Sequence, residues 1–238
     1  HHIVMDSRDN KTILATTKSR YSGSTIYRST NLGKTWIGAK SPPTFHASKD
    51  KSLVVNHTFC LCPGHKSEPG IWYAGTSPQG LFRSEDKGNT WTGVDGFNKH
   101  PLRSKWIGEK IEGTSHSSKL HSILIDPRDK NHMYISMSYG GTFESTDQGA
   151  TWEPLNKGIA TECIPSSAPE YYQDPHCLLL HPVKPDRLYQ QNHCGIYRMD
   201  RPNNIWFRIG DNMPADIGDI GFPIIVHPRN PDTIWVFP

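Results

Sequence analysis

Apolar residues along this chain fall into short runs separated by clusters of glycine, proline, asparagine and aspartate, and no long stretch repeats with a helical period. Short runs rich in β-branched and aromatic residues between turn clusters are typical of strands. One kind of run, which we call strand A, is apolar on both faces, as expected for a strand between two neighbouring sheets. It occurs at 1–7, 57–63, 121–127, 176–182 and 222–228.

Further strands follow strand A in the same order along the chain. Strand B is predicted at 12–17, 71–75, 133–137, 188–191 and 233–237, and strand C at 25–29, 81–84, 142–145 and 196–199. Strand D begins near a tryptophan that recurs at intervals of about 55–60 residues, at Trp36, Trp91, Trp152 and Trp206. Four strands that repeat at this spacing are typical of a propeller blade.

The repeat predicts one all-β domain, a β-propeller of four-stranded antiparallel blades. Full blades are expected at 1–40, 54–95, 120–155 and 175–210, with part of a further blade at 221–238. A propeller has to close on itself to remove its sheet edges. We therefore expect the 238 residues to be about four and a half blades of a longer, larger propeller.

A short motif joins strand C to strand D in three of the repeats. The segments 29–36, 84–91 and 145–152 fit Ser-x-Asp/Asn-x-Gly-x-Thr-Trp, whereas 199–206 keeps only the tryptophan. The aspartate or asparagine can bond its own backbone, and the glycine supplies a positive φ. The Thr-Trp pair then starts a strand and buries a large ring. The motif predicts a structural hairpin turn, so Asn31, Asp86 and Asp147 are not expected to be catalytic.

The motif resembles the Asp-box, or BNR repeat, of sialidase-like and sortilin-like β-propellers. Longer stretches resemble a subgroup of bacterial BNR-repeat proteins that are often labelled glycosyl hydrolases, at 62–75, 121–129, 187–195 and 221–232. The resemblance covers nearly the whole chain and implies the propeller fold, with carbohydrate as the favoured ligand class. Sialidases of this kind carry an Arg-Ile-Pro signature early in the domain. Here Arg208 and Ile209 are followed by Gly210 late in the chain, so sialidase activity is disfavoured.

Composition narrows the choice of partners. Net charge is +3 and the basic residues are scattered, so no nucleic-acid footprint is indicated. No apolar run reaches membrane-spanning length, and no membrane partner is expected. Five cysteines is an odd number, and Cys60 and Cys62 are too close along one strand for a good mutual disulfide. Reduced thiols are therefore expected, which favours the cytoplasm.

Histidines recur at one end of strand A. Because strand direction alternates, the start of strand A and the B–C turn should share a rim, with the C–D turns on the opposite rim. Neutral imidazoles are common ligands of zinc and related divalent metals. The candidate metal ligands are the residues that open strand A, His57, His121, His176 and His1, with His193 behind them in a B–C turn. The alternative is that each histidine bonds the backbone of the adjacent blade or channel water.

Loops on the same rim carry further candidates. A glycosidase needs two carboxylates, and the candidate catalytic residues are Glu109, Glu112, Glu170, Asp174 and Asp219. The candidate ligand-binding residues are His193 and aromatic side chains able to stack on a sugar, Trp106, Tyr171 and Tyr172. Each carboxylate has the alternative of a solvated loop charge, and the aromatic rings could equally cover the channel mouth.

Two functions remain open at this point. The first is a ligand-binding or glycoside-hydrolase-like propeller whose site lies at the channel mouth, with carbohydrate favoured and a histidine-bound metal as part of the site. The alternative is a non-catalytic scaffold for protein partners, as in sortilin-like propellers. Converging histidines with a carboxylate in reach would favour chemistry, and histidines bonded to backbone would favour the scaffold.

Overall fold

In the computed structural model, the described residues are 2–19, 23–45, 54–106, 118–161 and 173–238. They form four four-stranded sheets and one two-stranded sheet, and within each sheet the strands lie in chain order. The first sheet contains β1 (Ile3–Met5), β2 (Ile13–Ser19), β3 (Gly23–Ser29) and β4 (Ile37–Gly38). The second contains β5 (His57–Pro63), β6 (Trp72–Ser77), β7 (Leu81–Ser84) and β8 (Thr92–Gly93).

The remaining sheets repeat this arrangement. The third contains β9 (Leu120–Ile125), β10 (Met133–Met137), β11 (Gly141–Ser145) and β12 (Glu153–Pro154). The fourth contains β13 (Pro175–His181), β14 (Lys184–Asn192), β15 (Gly195–Asp200) and β16 (Phe207–Arg208), and the last contains β17 (Ile224–Val226) and β18 (Ile234–Val236). All pairings between neighbouring strands in these sheets are antiparallel.

The first strands of successive sheets lie against one another. β5 contacts β9, β9 contacts β13, and β13 contacts β17. Contact between equivalent first strands is what radial packing of the blades requires, because those strands are innermost. The predicted fold class, an all-β propeller of four-stranded antiparallel blades, is confirmed.

Apolar clusters fill the spaces between sheets. One joins Leu14 of the first sheet to Trp72 and Trp91 of the second, and another joins Leu81 of the second to Phe143 and Trp152 of the third. Each fully buried side chain of this size stabilises the fold by roughly 1.5–3 kcal/mol relative to an exposed one. The second, third and fourth sheets therefore have a core on either side, which explains why their strands are apolar on both faces.

The connection after β8 contains two short helices, α1 (Asp95–Asn98) and α2 (Arg103–Trp106). Trp106, expected as a sugar-stacking residue, is only 1% exposed, and its ring lies 4.0 Å from His100 and 4.6 Å from Phe143 between ring centroids. The helix carries this ring into the core between two sheets, where it has no face free for a sugar.

The C–D turns have the geometry that the motif predicts. In the second sheet, Ser84 Oγ donates to Asp86 Oδ1 and accepts the Gly88 N–H, both at 2.9 Å, while Asp86 Oδ1 accepts the Thr90 N–H at 2.8 Å. Trp91 Nε1 donates to the Gly88 carbonyl at 3.0 Å. Gly88 has a φ of +81°, and a Cβ there would lie 2.7 Å from Leu14. The carboxylate is fully used in closing the turn.

In the described part of the chain, no helix has the length and apolarity needed to cross a membrane. The cysteines within the described residues, Cys60, Cys62, Cys177 and Cys194, are free thiols.

Candidate functional site

One rim of the fourth sheet brings together the start of β13 and the turn between β14 and β15. The N–H of His193, in that turn, donates to the Asp174 carbonyl at 2.9 Å. Buried Asn192 supports the turn, because its Oδ1 accepts the Cys194 N–H at 2.9 Å and its Nδ2 donates to Gln190 at 3.1 Å. The start of a first strand and a second-to-third turn therefore share a rim, which we call the A rim.

Three side chains converge on this rim. Asp174, His176 and His193, which we call the rim cluster, each place one metal-ligating atom within 4.8 Å of the others. His176 Nε2 lies 3.7 Å from Asp174 Oδ2, and the two imidazole rings are 5.7 Å apart in an edge-to-face arrangement. The side chains of His176 and Asp174 are 8% and 17% exposed, and His193 is exposed. The cluster is a half-buried pair with one solvent-facing imidazole.

The orientation of His176 is set by its neighbours. Its Nδ1 lies 2.6 Å from the Gly221 carbonyl, which can only accept, so Nδ1 carries the proton and Nε2 faces Asp174. The ring stacks on Phe222, with 4.5 Å between centroids. Burial alone would lower the pKa of His176, but the Asp174 carboxylate and the Gly221 carbonyl more than offset it, and the pKa is raised.

Two exposed aromatic residues border the rim cluster. Phe222 is 70% exposed although one face of its ring lies on His176. Tyr139 is 46% exposed, and its N–H lies 3.3 Å from Asp174 Oδ1. Phe222 opens strand A of the last repeat, at the position that a histidine holds in the other repeats, and the sequence pattern does not indicate Tyr139. Tyr139 has a positive φ of +60°, as in a tight turn, and no sequence motif predicts this turn.

The other predicted metal ligands lie differently. His121 Nε2 donates to the Pro175 carbonyl at 2.8 Å, and its Nδ1 lies 2.9 Å from Ser122 Oγ, so both ring nitrogens are engaged. Burial lowers the pKa of His121 to about 4. Burial and the charges of nearby groups, Lys18 and Lys119 among them, also lower the pKa of His57. Neither histidine belongs to the metal-type cluster found among the described residues, and His1 lies outside them.

Only some of the predicted catalytic carboxylates and sugar-stacking rings lie within the described residues. Asp174 is in the rim cluster. Asp219 is held by Arg208, whose Nη2 and Nε lie 2.9 Å and 3.1 Å from Asp219 Oδ2. Outside the described residues lie Glu109, Glu112, Glu170, Tyr171 and Tyr172. The structure thus brings together two of the candidate metal ligands, His176 and His193, and one candidate catalytic carboxylate, Asp174.

Comparison of the chain with known proteins finds similarity to solved structures and no similarity at the level of sequence families. No family model matches it, and no curated protein matches it significantly. An ancestral GH74 enzyme superposes with a TM-score of 0.65 and 17% identity, over 99% of this chain and 27% of that one. The GH74 xyloglucanase from Xanthomonas campestris gives 0.53 and 14%, over 98% and 43% of the two chains.

A different kind of protein matches equally well. The COPII coat assembled on membranes superposes with a TM-score of 0.61 and 10% identity, over 98% of this chain and 30% of the matched one. The chain has the β-propeller fold. At these identities the likeness is one of fold alone, and the chain spans less than half the length of each of these structures.

Proposed function

We propose that this chain is part of a BNR-repeat, Asp-box propeller that binds a carbohydrate at the A rim. One observation carries the proposal: Asp174, His176 and His193 lie beside the exposed ring of Phe222. Ligand sites combine apolar or aromatic surface with a few polar groups that fix orientation. Carboxylate and imidazole groups can bond sugar hydroxyls, and an exposed ring offers a flat apolar face to the C–H side of a sugar.

Membership of the Asp-box class is supported by the turns. Three segments share the motif, and in the second and third sheets the same serine, aspartate and glycine atoms make the same bonds. Propellers of similar fold include GH74 enzymes, one of them named a xyloglucanase. That name lends support to carbohydrate as the ligand class and carries no residue to this chain.

Binding, without hydrolysis, is the activity that the described residues support. Glycoside hydrolysis by the usual route needs two carboxyl groups on either side of the scissile bond. Among the sequence candidates that the structure describes, Asp174 faces His176 and Asp219 is paired with Arg208. Each of these two carboxylates therefore already has a charged or imidazole partner.

The test is oligosaccharide binding by the full-length protein, first on a glycan array and then by calorimetry. Phe222→Ala should weaken the affinity about two- to tenfold, because the loss of one aromatic contact removes roughly 0.5–1.5 kcal/mol. Phe207→Ala is the matched control, since Phe207 is 51% exposed in outer strand β16, and it should bind like the wild type. Absence of oligosaccharide binding, or equal affinity in the Phe222 variant, would contradict the proposal.

A second candidate, a scaffold for protein partners, is favoured by one specific observation. His121 uses both ring nitrogens in bonds to Ser122 and to the backbone of the next sheet. This is the packing role that the sequence alternative assigned to the histidines. The same titration separates the two, because a pure scaffold would show no Phe222-dependent affinity for oligosaccharides.

A further inference from the structure

His176 and Asp174 form a pair that needs a positive charge between them. Because His176 Nδ1 donates to Gly221, a neutral imidazole presents its Nε2 lone pair toward Asp174 Oδ2, 3.7 Å away. Two acceptors that face each other repel unless a proton or a cation lies between them. The distance is too long for a direct hydrogen bond of good geometry, and it leaves room for an ion that both atoms could ligate.

We propose that Asp174, His176 and His193 hold a divalent transition-metal ion, with zinc as the ion that this donor set suits. The inference deepens the proposed function, since the ion would occupy the same rim. The sequence predicts a ring of histidines that open strand A. In the proposed site only His176 comes from that ring, and the other ligands are Asp174 and the turn residue His193.

The spacing fits such an ion with small adjustments. Three atoms within 4.8 Å of one another leave a central point at most about 2.8 Å from each, compared with about 2.0–2.2 Å for bonds from zinc to nitrogen or oxygen. Each atom would therefore move inward by less than about 1 Å on binding. His193 is exposed at a turn and can move, whereas His176 is held by Gly221 and Phe222.

The surrounding bonds are those expected around a metal ligand. Histidines that bind metals usually donate their other N–H to a carbonyl or carboxylate, which fixes the tautomer. His176 does this through Gly221. Asp174 is positioned through its other oxygen, Oδ1, by the Tyr139 N–H at 3.3 Å, and its carbonyl accepts the His193 N–H at 2.9 Å. One main-chain contact therefore ties two of the three ligands together.

The number of donors indicates the kind of site. Two imidazoles and one carboxylate are three protein ligands, the number found at zinc sites that keep an open fourth position. Exposure of His193 places that position toward solvent. An oxygen atom of a bound ligand, such as a sugar hydroxyl, could occupy it.

Zinc uptake by the full-length, untagged protein tests the inference. After treatment with a chelator and dialysis against zinc, elemental analysis should find about one equivalent per chain, and uptake should fall at acid pH because the ligands must be deprotonated. Asp174→Asn and His193→Ala should each weaken zinc binding at least tenfold by calorimetry. Cobalt(II) in place of zinc should give a visible absorption spectrum that the His193 variant loses.

The matched control is His65→Ala. His65 follows β5, in a turn on the opposite rim, and bonds Ser67 at 2.7 Å and the Pro127 carbonyl at 3.0 Å. This variant should take up zinc like the wild type. Since His193 is exposed, its variant should stay folded, which circular dichroism checks. No stoichiometric zinc, or equal uptake in wild type, Asp174→Asn and His193→Ala, would overturn the inference and point to a protonated His176–Asp174 pair.

The two proposals fail separately. Zinc uptake without oligosaccharide binding would remove the carbohydrate proposal and keep the metal site. If the protein holds no stoichiometric zinc but binds oligosaccharides in a way that depends on Phe222, the metal site is removed and the carbohydrate proposal is kept.

Discussion

His121 and His176 occupy the same place in adjacent sheets, and their surroundings differ. Each ring donates one N–H to a carbonyl of the chain that enters the next sheet, His121 to Pro175 at 2.8 Å and His176 to Gly221 at 2.6 Å. His121 uses Nε2 for this bond and turns Nδ1 to Ser122. His176 uses Nδ1 and turns Nε2 toward Asp174. The two residues therefore hold opposite tautomers.

The charge of the residue two positions earlier is one difference between the two surroundings. Lys119 precedes His121 and Asp174 precedes His176. The pKa of His121 is lowered to about 4, chiefly by burial with Lys119 adding to it, whereas the pKa of His176 is raised. The repeat thus copies a packing bond between sheets, while the partner of the second ring nitrogen, Ser122 in one sheet and Asp174 in the next, differs.

The largest effect we expect is the loss of stability in His121→Ala. The Pro175 carbonyl would lose its partner, and an unsatisfied buried acceptor costs about 1–3 kcal/mol. Exposed His193 makes no comparable packing bond, so His193→Ala should change the free energy of unfolding by less than about 0.5 kcal/mol. Denaturant unfolding of the chelator-treated protein at about pH 8 measures both. Equal effects of the two substitutions would remove the packing role of His121.

A fall in pH should change the contributions of His121 and His176 to the free energy of unfolding in opposite directions. The folded pKa of His121 lies below the ordinary value of 6.5, so the unfolded chain binds more protons as pH falls from 6.5 toward 4, and the native state loses stability. The folded pKa of His176 lies above its ordinary value, so its contribution is complete below that value and is lost as pH rises through the folded pKa.

Acidification should therefore make His121→Ala less destabilising and His176→Ala more destabilising. Unfolding free energies at about pH 8 and about pH 5.5 provide the comparison. A cost that changes in the same direction for both variants would contradict the opposite pKa shifts of the two histidines.

A smaller effect is expected from exchanging the flanking charges. Lys119→Asp removes a cation near His121 and adds a carboxylate, so the pKa of His121 should rise, and Asp174→Asn should lower the pKa of His176. Lys130→Asp is the control, because Lys130 lies on the opposite rim and its Nζ is 3.8 Å from Glu68. Nuclear magnetic resonance titration of the imidazoles follows each change. Insensitivity of both pKa values would contradict the contribution of the flanking charges.

Much of the fold could be predicted because its signals are local. The runs at 57–63, 81–84 and 133–137 are strands with the same bounds in the structure. Turn residues mark the ends of each strand, and the alternation of strand direction then assigns each turn to a rim. The geometry of the Ser84–Asp86–Gly88 turn also depends only on neighbours within the motif.

What could not be predicted depends on contacts between distant parts of the chain. Trp106 is buried because α2 brings it against Phe143 of another sheet, and no periodicity indicates that contact. The meeting of Asp174 with His193 requires the β14–β15 turn to fold back onto the start of β13. One signal was available in advance: Asp174 and His176 are two apart in an extended segment, which places both side chains on one side.

The most direct test of the account is the pKa of His121 and His176 in the metal-free wild-type protein, read from the imidazole resonances during one pH titration. We expect His176 to titrate above the ordinary histidine value of 6.5 and His121 well below it, near 4. If both histidines titrate together near the ordinary value, or in the reverse order, the distinction between a packing histidine and a site histidine is wrong.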